Sequence, residues 1–469
     1  MRLGMCIWVG IAVAGLIFAV VPSDHFFAAS SLILLANIAL LMGALAFNIT
    51  SSEERAAEFY LYLYFLLFYL LPGYIHLSTG RFPFYNRMYR DDYILWASLC
   101  AFLFSLSFVA AYSFAFTHQA GRYPNRLHKR GTEYVLAALY VSVALAVAFA
   151  FGIENYTVSR GDAYQLRVEY TPVTLIALSI PRILSFVAFL VSLVTLANGA
   201  SLGRLTFALV TFAVFSVLNS PIAIPRFLLF AYVIILLLVF VKLTKFRKTA
   251  IAAAFFVGQL TIFPAISLLS RGNIQQLLST SLLDYFASNG DFDGFQSTIN
   301  VVRYAQEAGF HYGSNLLSAA FFFVPREFWP GKSYGTGGEA AAFNGYNFIN
   351  ISAPLPSEFY VDLGTFGTIV GAALFGAFLA RLDGQIRAHR ATGNKWELFA
   401  PATVVGYLFI ILRGSLVGIL GPFVLTYAIV WLSTKWTRRR PKLAERRISR
   451  GRFEVVEMLS RSSRDNPSS

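Results

Sequence analysis

A chain of 469 residues that is 57% hydrophobic and 13% charged, with a mean hydropathy of +0.61, is not composed like a soluble domain. Its net charge of +14 invites a nucleic-acid partner. The cations argue against one: they crowd between Lys435 and Arg464, directly after an apolar run, as in a cytoplasmic membrane flank that meets anionic lipid.

The chain reads as an all-α polytopic integral membrane protein. Met1-Arg2 precedes an apolar run from Leu3 to Val21. A signal peptide cut near Ala28-Ala29 is one reading, and an uncleaved first span is preferred because the run is long and more spans follow. Further runs fall near 26–48, 57–77, 93–117, 134–153, 173–198, 205–219, 227–243, 249–270, 363–380, 398–412 and 415–434, so that about twelve spans are expected. The seventh and eleventh are the shortest. Cys6 and Cys100 are the two cysteines, both within apolar runs, and supply neither a disulfide framework nor a metal cluster. With the N-terminus inside, most of the 38 Lys/Arg fall on inner segments, which favours both ends in the cytoplasm. The expected division is a bundle over 1–270, an outer (periplasmic) loop over 271–362 before the tenth span, a second bundle part over 363–434, and a basic tail over 435–469. No internal repeat is found. Gly364, Gly367 and Gly371, and Gly414 and Gly418, suit close helix packing.

Inside the loop, Ile274, Leu277, Leu278, Leu282, Tyr285 and Phe286 keep helical spacing. A helix is expected from Asp293 to Gly309 and another from Ser314 to Val324, stopped by Pro325. The Gly/Asn-rich stretch 331–357 reads as irregular.

Four arginines share a setting. Arg182, Arg226, Arg326 and Arg413 each lie in or beside an apolar segment at the outer side, three of them directly after a proline. Ionisable groups at such depth usually face a cavity, and a guanidinium can hold a phosphate with two bonds. A snorkelling or ion-paired arginine is the other reading of each. Glu358 precedes the tenth span and stands four residues before Asp362, on one helix face. Near an apolar wall it suits a general base, while at a helix N-terminus it suits the dipole. His311, the one histidine of the loop, is a second candidate base. Asp291-Phe292-Asp293 matches a metal-holding Asp-x-Asp, but a turn and helix cap explains it better. No metal site and no cofactor are expected, since no Walker loop, His-Glu-x-x-His, Gly-x-Ser-x-Gly or Cys-x-x-Cys is present.

The run from Gly313 through Val324-Pro325-Arg326-Glu327-Phe328-Trp329-Pro330-Gly331-Lys332, followed by Ser352 to Gly364 with Glu358 and Tyr360, resembles the signature of bacterial oligosaccharide repeat-unit polymerases, the O-antigen polymerase family. The detailed resemblance spans about 50 residues. It implies transfer of a glycan from undecaprenyl pyrophosphate onto an incoming lipid-linked repeat unit at the periplasmic face of the bacterial inner membrane, building O-antigen, capsule or exopolysaccharide. Under it, Glu358, Arg326, His311 and Asp362 are the catalytic candidates. Arg182, Arg226, Arg413, Lys332, Trp329 and Tyr360 are the substrate-binding ones, with Tyr334 and Tyr346 as further aromatics for sugar faces. Membrane lipids, a chain-length regulator and a repeat-unit flippase are the implied partners, and no nucleic acid. An O-antigen ligase shares the donor, and a transporter or flippase of lipid-linked glycans shares the span count.

Overall fold

The computed structural model describes residues 2–21, 28–85, 88–118, 131–158, 172–262 and 282–438. Arg122, Arg126, Lys129 and Arg130, which the sequence counts among the inner Lys/Arg, the spacing at Ile274, Leu277 and Leu278, and the tail after Arg438 lie outside these. Among the described residues the regular elements are helices, without a strand, and nine helices are long and apolar enough to cross a membrane. The first six are α1 (Arg2–Val20), α2 (Ala28–Thr50), α3 (Ala56–Thr79), α4 (Asp91–Thr117), α5 (Thr132–Ala150) and α6 (Pro172–Ala197). Shorter apolar helices follow as α7 (Leu202–Leu218) and α8 (Arg226–Phe240), then α9 (Lys245–Leu260). Four short helices come next: α10 (Leu282–Ser288), α11 (Gly294–Ala308), α12 (Ser314–Ala320) and α13 (Thr336–Phe343). The last three long ones are α14 (Leu355–Ala391), α15 (Lys395–Arg413) and α16 (Leu416–Thr437).

The expected seventh and eighth spans are thus helices of 17 and 15 residues. At ~1.5 Å per residue they reach about 25 Å and 23 Å, short of the ~30 Å of a hydrocarbon core. The ninth is described only as far as residue 262.

The centre of the bundle is α3. It is buried along nearly its whole length, between α2, α14 and α15. Its aromatic run Phe59-Tyr60-Leu61-Tyr62-Leu63-Tyr64-Phe65 fills the interior. Pro72 lacks an N–H and its ring crowds the carbonyl four residues back, and the helix widens into a π-turn over Phe65–Leu70. The broadest helix contact is α4 on α14. A Cβ at Gly376 would lie 2.8 Å from the Phe108 carbonyl oxygen, so only glycine permits this approach.

The segment from Leu282 to Leu355 is not a free loop. It packs across one end of the bundle, with α11 seated on the end of α3: a Cβ at Gly73 would meet the Phe295 ring at 2.8 Å. We call this the loop end. At the opposite, basal end Cys6 meets Thr50, Arg390 meets Glu54, Lys248 meets the Asn48 carbonyl and Arg438 meets Glu397.

Two expectations for the segment need correction. The helix from Ser314 ends at Ala320, with turns rather than helix through Phe323. The Gly/Asn-rich stretch contains α13, because Glu339-Ala-Ala-Ala-Phe343 is a good helix former once Gly335, at φ +107°, has turned the chain. α14 is broken at Leu363–Gly364, where Gly364 holds φ +59° and ψ −147°. The lead-in Leu355–Asp362 folds back on its own helix. The Phe359 carbonyl and ring fill the space that side chains at Gly367 and Gly371 would take, each 2.5 Å from the missing Cβ.

Candidate functional site

Two polar groupings meet at the loop end, joined by the short connection between α15 and α16.

The first is a cleft of about 350 Å³ between α6, α8, α15 and α16. Its walls are apolar: Ile183, Phe227, Leu228, Ile410, Ile419 and Pro422. Gly418 adds width, since a Cβ there would meet nothing within 4 Å. Arg182 and Arg413 also line it. Arg182 follows Pro181 inside α6, lies over the Tyr156 ring at 5.3 Å and donates to the Ala223 carbonyl at 3.4 Å. Arg413 ends α15. It donates to the Gly290 carbonyl at 2.9 Å and to Asp293 Oδ1 at 3.2 Å, and lies over the Phe227 ring at 4.8 Å. Arg226 stands just behind, at the start of α8, ion-paired with Asp291 at 2.9 Å and donating one hydrogen bond to its Oδ1 at 3.1 Å.

The Asp-x-Asp motif therefore has a use that spacing did not suggest. It forms the expected turn, Gly290–Phe292, and the start of α11. Each carboxylate also holds an arginine from a distant helix. Asp293 is further fixed by the Ser352 amide at 2.8 Å and the Ser352 hydroxyl. Among the described residues no group of three His, Cys, Asp or Glu is placed to hold a metal.

Arg326 does not join this set, so the four-arginine site reduces to three. Pro325 stops the preceding segment, and Arg326 turns inward on its own chain. It donates to the Lys332 carbonyl and to the Ser333 carbonyl at 2.9 Å, with Tyr334 stacked on it at 3.7 Å. Lys332 donates in turn to the Phe322 and Val324 carbonyls at 2.6 and 2.8 Å. Burial first, and the Arg326 charge second, hold its ammonium below the usual lysine range. Both cations thus tie one turn together. Trp329 sits half-buried in that turn. Tyr360 is in the core, against Phe310 and hydrogen-bonded to Gln306 at 3.0 Å, with no face left for a sugar. Tyr346 is buried likewise, stacked on Phe348, whereas Tyr334 is largely exposed.

The second grouping is a relay. Glu358 is fully buried. Its Oε1 accepts from the Leu416 amide at 3.0 Å and its Oε2 from the Thr336 hydroxyl at 2.8 Å. The Thr336 oxygen accepts from Asn315 Nδ2 at 2.9 Å, and Asn315 Oδ1 lies 2.8 Å from His311 Nδ1. Thr336 donates to Glu358 and Asn315 Nδ2 donates to Thr336, so the atom of Asn315 facing His311 is its oxygen, which can only accept. That assigns the proton to Nδ1 and leaves Nε2 as an acceptor. The His311 side chain is 20% exposed. Glu339 Oε2 stands 4.0 Å from Nδ1, and Tyr304 packs edge-on at 5.3 Å. Burial pushes the Tyr304 hydroxyl up to about 12, so it stays protonated at neutral pH.

Asp362 has another task. It is fully buried and accepts from the Asn315 and Leu316 amides at 3.1 and 2.8 Å. It caps α12 from across the fold and so sets the height of Asn315.

The two groupings share a hinge of chain. Arg413 points into the cleft and the Leu416 amide binds Glu358, at most ~11 Å apart along the backbone. Residue type and position picked out the arginines, His311 and Glu358. It missed Thr336 and Asn315, which are ordinary residues until the fold brings them together, and it gave Asp293 a turn and cap but not its hold on Arg413. No family model, no curated protein and no solved structure matches the chain.

Proposed function

We propose that this protein is a membrane glycosyltransferase that polymerises undecaprenyl-pyrophosphate-linked oligosaccharide repeat units at the periplasmic face of a bacterial inner membrane. The finer topology, twelve spans with both ends cytoplasmic and the 271–362 segment outside, belongs to this proposal. It is supported by the gathering of Arg55, Lys248, Arg390 and Arg438 at the end opposite that segment.

The observation that carries the reading is the pairing of an arginine-headed apolar cleft with an accessible, oriented histidine. A cleft with greasy walls and guanidiniums at one end suits a lipid tail joined to a pyrophosphate. In the reaction, the acceptor sugar hydroxyl gives its proton to His311 Nε2, and its oxygen bonds to the donor's anomeric carbon. The bond from that carbon to the pyrophosphate oxygen breaks, and the anion leaves into the field of Arg413 and Arg182. Glu358 is a positioning residue here, acting through Thr336 and Asn315. Asp293 positions Arg413 in the same sense. No nucleotide is needed, because the pyrophosphate is the activation.

The test is a deletion strain analysed for lipid-linked intermediates. Single repeat units on the carrier, rescued to long chains by the wild-type gene, are expected. Long chains left on the carrier would instead mean a ligase. Unchanged glycans would end the proposal.

A further inference from the structure

A second cavity lies far from this site, at the basal end. It is a groove of about 590 Å³ between α1 and α4, with α2 as its floor. The sequence explains why it exists. The floor carries Ala36, Ala39, Gly43 and Ala44 at helical spacing, and these short side chains leave a trough. α1 is held tightly on the same helix, since a Cβ at Gly10 would lie 2.1 Å from the Ala39 carbonyl oxygen. Along α4 the groove runs from Phe102 to Thr117, about 20 Å of helix and so somewhat more than the ~15 Å of one leaflet's hydrocarbon.

Its polar residues collect at the basal end, with Arg55, Glu58 and Thr117. Glu58 is already satisfied by Asn48 and Tyr62, each at 2.8 Å. Arg55 is not. Its nearest carboxylate oxygen, on Glu58, is 3.6 Å away, and its Nε is buried without a hydrogen-bond partner. The guanidinium lies over Phe116 at 4.1 Å, and Arg387 lies over the same ring at 4.0 Å. Arg387 is neutralised by Glu53. A side chain 11% exposed that carries five donors and gives no hydrogen bond among the described residues is costly unless an acceptor comes from outside.

We propose that this groove binds one anionic glycerophospholipid of the basal leaflet, an acyl chain lying on the Ala36–Ala44 floor and the phosphate accepting from Arg55. The site goes beyond the glycosyl-transfer reading and does not depend on it.

The experiment compares wild type with Arg55→Gln, Arg55→Lys and Ala44→Phe, each purified in mild detergent and stripped of lipid. Bound phosphatidylglycerol and phosphatidylcholine of equal chain length are counted by native mass spectrometry during titration. Wild type should take up one phosphatidylglycerol, preferred over phosphatidylcholine by about fivefold. Arg55→Gln should bring the two lipids level, Arg55→Lys should keep most of the preference, and Ala44→Phe should weaken both. A preference that survives Arg55→Gln, or uptake unchanged by Ala44→Phe, overturns the site. So does displacement of phosphatidylglycerol by a polyprenyl phosphate, which would make the groove a seat for the substrate carrier. Should Arg55→Gln not fold, the lysine and phenylalanine variants decide the matter by the same criteria.

Discussion

The two ends of the bundle use buried carboxylates in parallel ways, and differ in where the bonds end. On α14, Asp362 caps α12 at the loop end and Asp383 caps α3 at the basal end, each from a different helix. The basal network closes on itself: Asp383 also takes the Tyr112 hydroxyl, Glu54 takes Arg390 and the Leu243 amide, and Lys248 gives its protons to the Asn48 and Glu53 carbonyls. The loop-end network opens. Glu358 leads through two side chains to a histidine at the surface, and Asp293 leads to an arginine that lines a cleft. Buried charge by itself is a packing device, and a site arises where the chain of partners ends at a group that can meet a ligand. Arg55 is the basal exception, and it too faces a cavity.

The contrast can be broken most forcefully at the buried pairs. Asp293→Ala leaves Arg413 without its carboxylate and should cost about 3–5 kcal/mol, lowering the thermal midpoint in detergent and abolishing chain growth. Asp383→Asn should cost about 1–3 kcal/mol in the same assay. Its chain growth per folded molecule should stay near wild type, because the basal network ends nowhere. Glu358→Gln tests the relay more finely. The amide offers one oxygen to two donors, Thr336 and the Leu416 amide. Chain growth should fall about tenfold, with lipid-linked substrate still bound and the pH–rate profile displaced. A rate that drops with an unmoved profile would reduce Glu358 to a structural acid.

The sequence carried the helical membrane class and the helix over Gly294–Ala308, because periodicity and caps are local signals, whereas the break at Gly364 went unread, since that glycine also suits close helix packing. It also marked the arginines, since cations beside apolar runs are conspicuous. Their partners were not legible. Arg226 and Asp291 are 65 residues apart, Arg413 and Asp293 120, and only the fold joins them. Arg326 misled for the same reason: its acceptors are backbone carbonyls, which every residue has. Glu358 stood out by position, but its burial depends on α16 arriving from the far end of the chain.

Smaller effects sharpen the comparison. Arg326→Lys keeps the charge but loses the two-carbonyl grip on the turn, and chain growth should drop by less than about tenfold. Normal activity in that variant would leave the turn without a part in the site. At the surface, hydrogen bonds from Arg303 and then Tyr93 hold the Glu307 carboxyl below the usual range. Its contribution to stability is therefore present above the unfolded value and is lost as pH falls through the folded one. Glu307→Gln should lower the thermal midpoint slightly at pH 7, and the difference should vanish in acid. A difference that grew as pH fell would reverse the sign.

Extension of a lipid-pyrophosphate glycan with His311 as proton acceptor can be followed with purified protein in vesicles, given the lipid-linked repeat unit alone, without nucleotide sugar or ATP. Wild type should release polyprenyl pyrophosphate and build a ladder of chains. His311→Ala, folded and still binding substrate, should slow the ladder by about 10²–10⁴-fold. A ladder from His311→Ala equal to wild type, or none from wild type, would contradict the account.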